Sequence, residues 1–275
     1  MQTTRRSLLA LGAALPLVAA VDPAPVDSAR LWRTLFAGPI GETFAWWYQG
    51  TTSSHVDRLR EFPVAGFHAI TIARTSVTGS GLAVDFRTIG FFSDLDSGLP
   101  TDRWHNVFTD QTQTIPAFFV EGPGRYTMTP GADGMTLTLA AAATRTNRAI
   151  ATGEVNATRA MLTQIEGTLQ GFPRLDGSLP ALGSPGITER QTRLQIIAPR
   201  GPALGDAPVL EARGFFSFVY DALPEWMGFG ETLGSGFHKG QMRKTGASTV
   251  VDRVAWDYLR HHVPSAFSGD RLVLK

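Results

Sequence analysis

Alternation of hydrophobic and polar residues dominates the first half of the chain. In the segment 43–50, Phe44, Trp46 and Tyr48 alternate with Ala45, Trp47 and a glutamine, so rings fall on both sides of the pattern. A period of two is typical of β-strands. Comparable segments lie at 66–77, 82–94, 114–122, 125–129, 134–152, 190–199 and 208–222. The pattern predicts roughly eight to ten strands separated by glycine- and proline-containing turns.

Three stretches carry helical spacing instead. A short helix is predicted over 27–37, a second over 154–170 and a third over 249–262, each with apolar residues on one stripe. The segment 172–186 is rich in Pro, Gly and Ser, which indicates a loop or a lid. Because no regular strand–helix alternation is present, we expect a mainly β (α+β) fold. Its form is an antiparallel β-barrel or a strongly curved sheet with a few packed helices.

The amino-terminal segment has the features of an export signal. Arg5 and Arg6 precede an apolar run that ends in small residues at 18–20. This arrangement predicts a twin-arginine signal peptide over 1–20 and a single β-rich domain over 21–275. A membrane anchor is the alternative, but it needs about 20 apolar residues, and this run is shorter and contains Pro16. We therefore expect a periplasmic or extracellular protein that meets the twin-arginine export machinery.

Composition excludes several classes of function. The formal net charge is +1, and both arginines of the signal contribute to it, so the remainder is close to neutral and does not favour a nucleic-acid partner. The chain has no Cys, which excludes disulfides, zinc–thiolate sites and a cysteine nucleophile. Nucleophile-elbow, zincin, P-loop and dinucleotide-binding motifs are also missing from the sequence.

The candidate site residues are aromatic and polar groups in or beside the strands. His105 and His238 lie in loop-like sequence, where functional groups concentrate. If a cavity exists, barrel geometry brings the connecting loops to one rim. The predicted catalytic residues are His105, His238 and Tyr48, and the predicted substrate-binding residues are Arg74, Trp104, Asn106 and Trp226. Alternatively, the rings only pack the core, and the two tryptophans close the ends of the barrel.

The order of short motifs resembles the DUF1838 family of bacterial and fungal proteins. The motifs are WWYQGT at 46–51, DRWHN at 102–106, YDALPEWMGFG at 220–230 and GSGFHKG at 234–240. They are followed by a closing helix that ends in HVP at 262–264. Val107 departs from the family pattern, in which proline follows the DRWHN segment. The resemblance implies export, a single domain and a β-rich fold, and it supplies no catalytic residues.

Three functions compete on these observations. The first is a secreted, cofactor-free lyase, isomerase or hydrolase that acts on an aromatic or apolar compound, with protons carried by histidine or tyrosine. The second is a lipocalin-like carrier of the same kind of ligand, which needs a cavity but no proton relay. The third, a haem or metal protein, lacks any recognised ligand spacing, so no cofactor is predicted. Nothing in the sequence indicates the oligomeric state.

Overall fold

The computed structural model consists mainly of antiparallel strands. It describes residues 32–56, 60–79, 81–131, 134–141, 154–156, 159–165, 168–179, 189–197, 207–220, 223–232 and 234–274. The strands are β1 (Thr43–Val56), β2 (Arg60–Thr78), β3 (Gly81–Ser93), β4 (Arg103–Asn106), β5 (Gln111–Thr114), β6 (Phe119–Gly131), β7 (Gly134–Ala141), β8 (Glu154–Asn156), β9 (Arg159–Ile165), β10 (Thr168–Leu179), β11 (Glu189–Ile197), β12 (Ala212–Tyr220), β13 (Gly234–Gly246), β14 (Phe267–Ser268) and β15 (Arg271–Leu272). Helical segments are the π-helical turn Trp32–Phe36, the 3₁₀ turns Glu225–Met227 and Pro264–Ala266, and α1 (Arg253–His262).

Eleven of these strands form one sheet. Their order is β8-β7-β6-β3-β2-β1-β13-β12-β11-β10-β9, whereas β4–β5 and β14–β15 form separate two-stranded sheets. β1 pairs with β2 on one side and with β13, almost two hundred residues away, on the other. Among the described strands no pairing joins β8 to β9, so the sheet is not closed into a barrel. The predicted mainly β fold is confirmed.

The central strands bury both of their faces, as the rings on both sides of β1 predict. Phe44 and Trp46 pack in a layer together with the π-helical turn, and we call their side of the sheet the inner face. Ala45 and Trp47 pack in a second layer together with α1, and we call that side the outer face. Successive residues of a strand point to opposite faces, so the period of two decides which layer each side chain joins.

Helix α1 covers the outer face. The side chain of Asp252 accepts a hydrogen bond from the Ala255 backbone N–H at 3.1 Å and so caps the helix at its start. Trp256 and Leu259, three residues apart, are fully buried against the sheet. The last turn carries three basic residues, and positive charge there interacts favourably with the negative end of the helix dipole. The helix predicted over 249–262 is therefore present from residue 253 onwards.

The prediction of a helix over 154–170 is wrong. Within this segment the structure has β8, β9 and the start of β10, and β9 pairs with β10 over Arg159–Thr163. β10 extends through Leu179, so residues 172–179 of the predicted loop are strand, and 180–186 lie outside the described residues. Of the helix predicted over 27–37, only the π-helical turn at 32–36 is described. The predicted signal at 1–20 also lies outside the described residues.

Candidate functional site

An aromatic layer on the inner face contains the candidate site. The ring of Phe67, on β2, lies at its centre and stacks on Phe119 at 5.8 Å between ring centroids. Phe67 also contacts Phe92 at 6.2 Å and Phe216 at 5.7 Å. Of the five partly buried aromatic residues packed against the inner-face core, four contact these rings: Tyr48, Phe119, Phe218 and Trp226. Each of these four residues therefore keeps some solvent-exposed surface.

His238 is buried within this layer. Its ring stacks on Phe67 at 4.4 Å with an interplanar angle of 15°, and it lies 6.0 Å from Phe92. Its Nδ1 shares a hydrogen bond of 2.7 Å with the hydroxyl of Thr52, on the neighbouring strand β1. Burial lowers the pKa of His238 from 6.5 to about 3 because the charged form would lose its hydration. The imidazole is therefore neutral at pH 7.

Tyr48 contacts the same layer from β1. Its ring meets Phe216 at 5.2 Å in an edge-to-face arrangement and Phe218 at 6.0 Å. A hydrogen bond links its side chain to Thr71, although burial outweighs this contact and raises the pKa of Tyr48. The Thr71 hydroxyl lies 2.8 Å from the Thr88 hydroxyl on β3. A row of hydroxyl groups thus crosses three strands beside the aromatic layer.

Trp226 reaches the layer from the 3₁₀ turn at Glu225–Met227. Its ring contacts Phe92 at 5.0 Å. The turn is held by Asn106, whose Nδ2 donates to the carbonyls of Met227 at 2.9 Å and Gly228 at 3.2 Å. The arrangement places a tryptophan at the edge of the aromatic layer through a contact between residues more than one hundred positions apart in sequence.

Asn106 itself is fully engaged with the backbone. Besides its two donor contacts, its Oδ1 accepts from the N–H groups of Phe108 at 2.9 Å and Thr109 at 3.3 Å. Two donors and two acceptor positions are all that an asparagine amide has. Trp104, in the same hairpin, contacts Phe229 at 5.8 Å. In this geometry Asn106 positions the turn that carries Trp226.

Two predicted site residues lie elsewhere. His105 is exposed in the β4–β5 hairpin, and its Nε2 lies 3.5 Å from a carboxylate oxygen of Asp110. Arg74 is exposed and donates to Thr43. Arg74 is seven residues from Phe67 on the same strand, which corresponds to about 23 Å at 3.3 Å per residue. The structure thus brings together Tyr48, His238 and Trp226, and it does not bring His105 or Arg74 to them.

Sequence reasoning missed several residues of this layer. Phe67, Phe92 and Phe216 surround His238 and Tyr48, yet the sequence shows each only as one ring in an apolar strand. Their register in adjacent strands is the missing information, since Phe67 pairs with Phe92. Thr52 was also missed, because a threonine in a polar strand segment has no distinctive pattern.

Within the described ranges, no group of three or more His, Asp or Glu residues is arranged to hold a metal ion. None of the helices in those ranges has the length and apolar character needed to cross a bilayer.

Comparison with known proteins adds no assignment. No family model, curated protein or solved structure matches the chain. The resemblance to the DUF1838 family stays a prediction.

Proposed function

We propose that the protein binds a small, uncharged aromatic or apolar compound on the inner face of its sheet. The observation that carries this proposal is the aromatic layer around His238, four of whose neighbouring rings are only partly buried. Ligand sites of this kind combine mostly apolar walls with a few polar groups that orient the ligand. Tyr48 and His238 are the polar groups in contact with these rings.

Distances across the layer support a strongly curved sheet that surrounds the ligand. Phe67 and Phe216 lie on β2 and β12, which β1 and β13 separate. In a flat sheet these strands would be about 14 Å apart, at about 4.8 Å per strand. The two ring centroids are only 5.7 Å apart. Curvature that brings such rings together makes the inner face concave, which suits the enclosure of a small molecule.

The polar groups favour a neutral ligand. Burial raises the pKa of Tyr48 and lowers that of His238, so both side chains are uncharged at pH 7. The ammonium of Lys244 is on the inner face as well, but it is fully buried and bound to the carbonyls of Leu35 and Ala37. A charged ligand beside these rings would lose hydration without gaining a counter-charge from them.

The experiment compares two phenylalanines of β12 that point to opposite faces. Phe218 lies in the inner layer, whereas Phe215 is 52% exposed on the other side of the strand. The neutral fluorescent probe N-phenyl-1-naphthylamine is titrated into wild-type protein, Phe218→Ala and Phe215→Ala. We expect Phe218→Ala to weaken binding by about tenfold, because it removes ring contact of about 1.4 kcal/mol. Phe215→Ala should leave the affinity unchanged.

Equal weakening by both substitutions, or no binding to wild-type protein, would contradict the proposal. Circular dichroism of both variants checks that the fold is intact. Displacement of the probe by phenols and by aliphatic alcohols of similar size then shows whether the site prefers aromatic compounds.

A cofactor-free lyase, isomerase or hydrolase is the second candidate. The hydrogen-bonded hydroxyls of Tyr48, Thr71 and Thr88 favour it, because a hydroxyl row can pass a proton. His238 contributes little as a base, since a pKa of about 3 leaves it weakly basic at pH 7. Compounds that displace the probe are incubated with wild-type protein and with Tyr48→Phe, and products are sought by mass spectrometry. Turnover that is lost in Tyr48→Phe while probe affinity is kept would support the enzyme.

The site is further proposed to act outside the cytoplasm. Arg5 and Arg6 and the apolar run after them support export by the twin-arginine pathway. In this compartment the protein would meet compounds taken up from the surroundings or released by the cell.

A further inference from the structure

Three side chains on the outer face form a serine–histidine–aspartate arrangement. The Oγ of Ser93, at the end of β3, lies 3.0 Å from Nε2 of His68 on β2. Nδ1 of the same imidazole lies 3.6 Å from Oδ2 of Asp252, the N-cap of α1. The hydroxyl, the imidazole and the carboxylate thus follow one another in the order that nucleophilic catalysis by serine uses.

The sheet separates this arrangement from the ligand site. His68 follows Phe67 on β2, so the two side chains point to opposite faces. The His68 ring lies flat on Phe91, an outer-layer residue, at 4.7 Å and 4°. A substitution here therefore tests a feature that is independent of the proposed function.

The glycine opposite Ser93 leaves room for the serine hydroxyl. Gly66 pairs with Ser93 across β2 and β3, and a Cβ built at Gly66 would lie 2.0 Å from the Ser93 Oγ. The absent side chain of Gly66 provides the space in which Ser93 leans towards His68. His68 is two residues further along the strand and therefore points to the same face.

The nearby Asp252 carboxylate favours one tautomer of the imidazole. A carboxylate beside Nδ1 favours the tautomer that carries its proton on Nδ1, so that Nε2 accepts the hydrogen bond from the Ser93 hydroxyl. Burial lowers the pKa of His68 and Asp252 partly opposes this. The imidazole is then neutral at pH 7, which is the form that can accept a proton.

We propose that Ser93 is a nucleophile for small carboxylic esters, with His68 as its general base and Asp252 as a positioning residue. The Ser93 oxygen forms a bond to the ester carbonyl carbon, and its proton moves to Nε2 of His68. The carbon–alkoxide bond breaks, and the alcohol leaves with that proton. Water then attacks the acylated serine, releases the carboxylic acid and restores the hydroxyl.

Burial of the serine restricts the ester to a short acyl group. Ser93 is 2% exposed, and the exposed segment 94–99 after it folds back on the end of β3 through a hydrogen bond from the Asp94 N–H to the Leu99 carbonyl. We therefore expect acetyl esters to react faster than octanoyl esters.

Covalent labelling is the direct test. A small fluorophosphonate reacts with an activated serine by forming an oxygen–phosphorus bond and releasing fluoride, and peptide mass spectrometry locates the label. We expect one label per wild-type molecule at Ser93, and none at this peptide in Ser93→Ala. Ser97→Ala, in the exposed segment after Ser93, is the matched control and should be labelled like wild type.

Hydrolysis of p-nitrophenyl acetate separates the roles of the other two residues. His68→Gln should reduce both labelling and hydrolysis at least about a hundredfold, as expected on losing a general base. Asp252→Asn keeps a side chain that caps the helix, so it should fold normally and lower kcat more than it raises KM.

Three outcomes would overturn the proposal. They are an unlabelled Ser93 in wild-type protein, labelling of Ser93 that persists in His68→Gln, and hydrolysis that is unchanged in Ser93→Ala. Any of these results would mean that His68 and Asp252 have a structural role only, which is to attach α1 to the sheet. Thermal unfolding of every variant shows whether a loss of reaction reflects a loss of fold.

Discussion

At the scale of single residues, Lys244 has the most unusual surroundings. It is fully buried on β13, and its ammonium donates to the backbone carbonyls of Leu35, at 3.0 Å, and Ala37. The same ammonium lies over the rings of Phe44 and Trp46. These contacts attach the end of the π-helical turn to the sheet. Burial nevertheless lowers the pKa of Lys244 from 10.5 to about 7.

This pKa predicts that stability rises with pH above 7. Between about pH 7 and 10.5 the unfolded chain holds a proton that the folded protein has released, so raising the pH favours the folded state. Urea unfolding is measured at several pH values for wild type, Lys244→Met and Lys239→Met. The Lys244→Met curve should lack this rise, which amounts to at most about 1.4 kcal/mol per pH unit. Lys239, half-exposed on the same strand, is the control. Parallel curves for wild type and Lys244→Met would disprove the buried titration.

Asn106 shows how one side chain determines the position of another. Two of its hydrogen bonds reach the turn that carries Trp226, and two are made within the β4–β5 hairpin. We predict that Asn106→Ala lowers the free energy of unfolding by about 2–3 kcal/mol, because it leaves buried backbone groups unpaired. It should also weaken binding of the naphthylamine probe. Gln111→Ala, whose side chain makes one exposed contact of 3.4 Å in this hairpin, should change stability by less than about 0.5 kcal/mol. Equal effects in thermal unfolding would contradict this role.

At the scale of elements, β1 and β13 approach closely at a pair of glycines. Gly50 and Gly240 are partners in the register, and a Cβ on Gly240 would lie 2.2 Å from the Gln49 carbonyl oxygen. Neither strand can carry a side chain there without moving the other. This close approach joins two strands that are distant in sequence, and it lies on the inner face between Tyr48 and His238.

Gly240→Ala is therefore expected to destabilise the protein by about 1–3 kcal/mol, since the strands must separate to admit a methyl group. Gly79→Ala, in the turn between β2 and β3, is the control because a Cβ there meets nothing within 4 Å. Differential scanning calorimetry of the two variants provides the comparison. A variant at Gly240 that is as stable as the one at Gly79 would mean that the strands do not approach this closely.

The segment 154–170 was predicted to be a helix but forms strands. Its apolar residues fit a helical stripe, but a short apolar segment can satisfy either period. Pairing of β9 with β10 decides the outcome, because each strand supplies hydrogen-bond partners that a helix would find within itself. The strands β1, β2 and β3 were predictable because their alternation is long and rich in β-branched and aromatic residues. The helix near the carboxyl end was predictable because its apolar residues recur at helical spacing, whereas its start at the Asp252 cap was not predicted.

At the scale of the whole molecule, export is the property that the sequence predicts most directly. Replacing Arg5 and Arg6 together by lysine should leave the protein in the cytoplasm, because twin-arginine recognition requires the pair. Immunoblots of periplasmic and cytoplasmic fractions measure the distribution. Arg30→Lys, beyond the predicted signal, is the control and should be exported normally. Unchanged export of the double variant would refute the signal.

The sequence by itself determined the β class, the two-faced character of the central strands and the presence of helix α1, because each depends on neighbours a few residues apart. Only the tertiary structure decided that His238 stacks on Phe67 and that Asn106 holds the turn of Trp226. It also decided that Arg74 and His105 lie away from them. These relations depend on the strand order, which places β13 beside β1 and thereby joins segments almost two hundred residues apart. Local periodicity carries no information about such pairing, since every strand of the sheet has the same period of two.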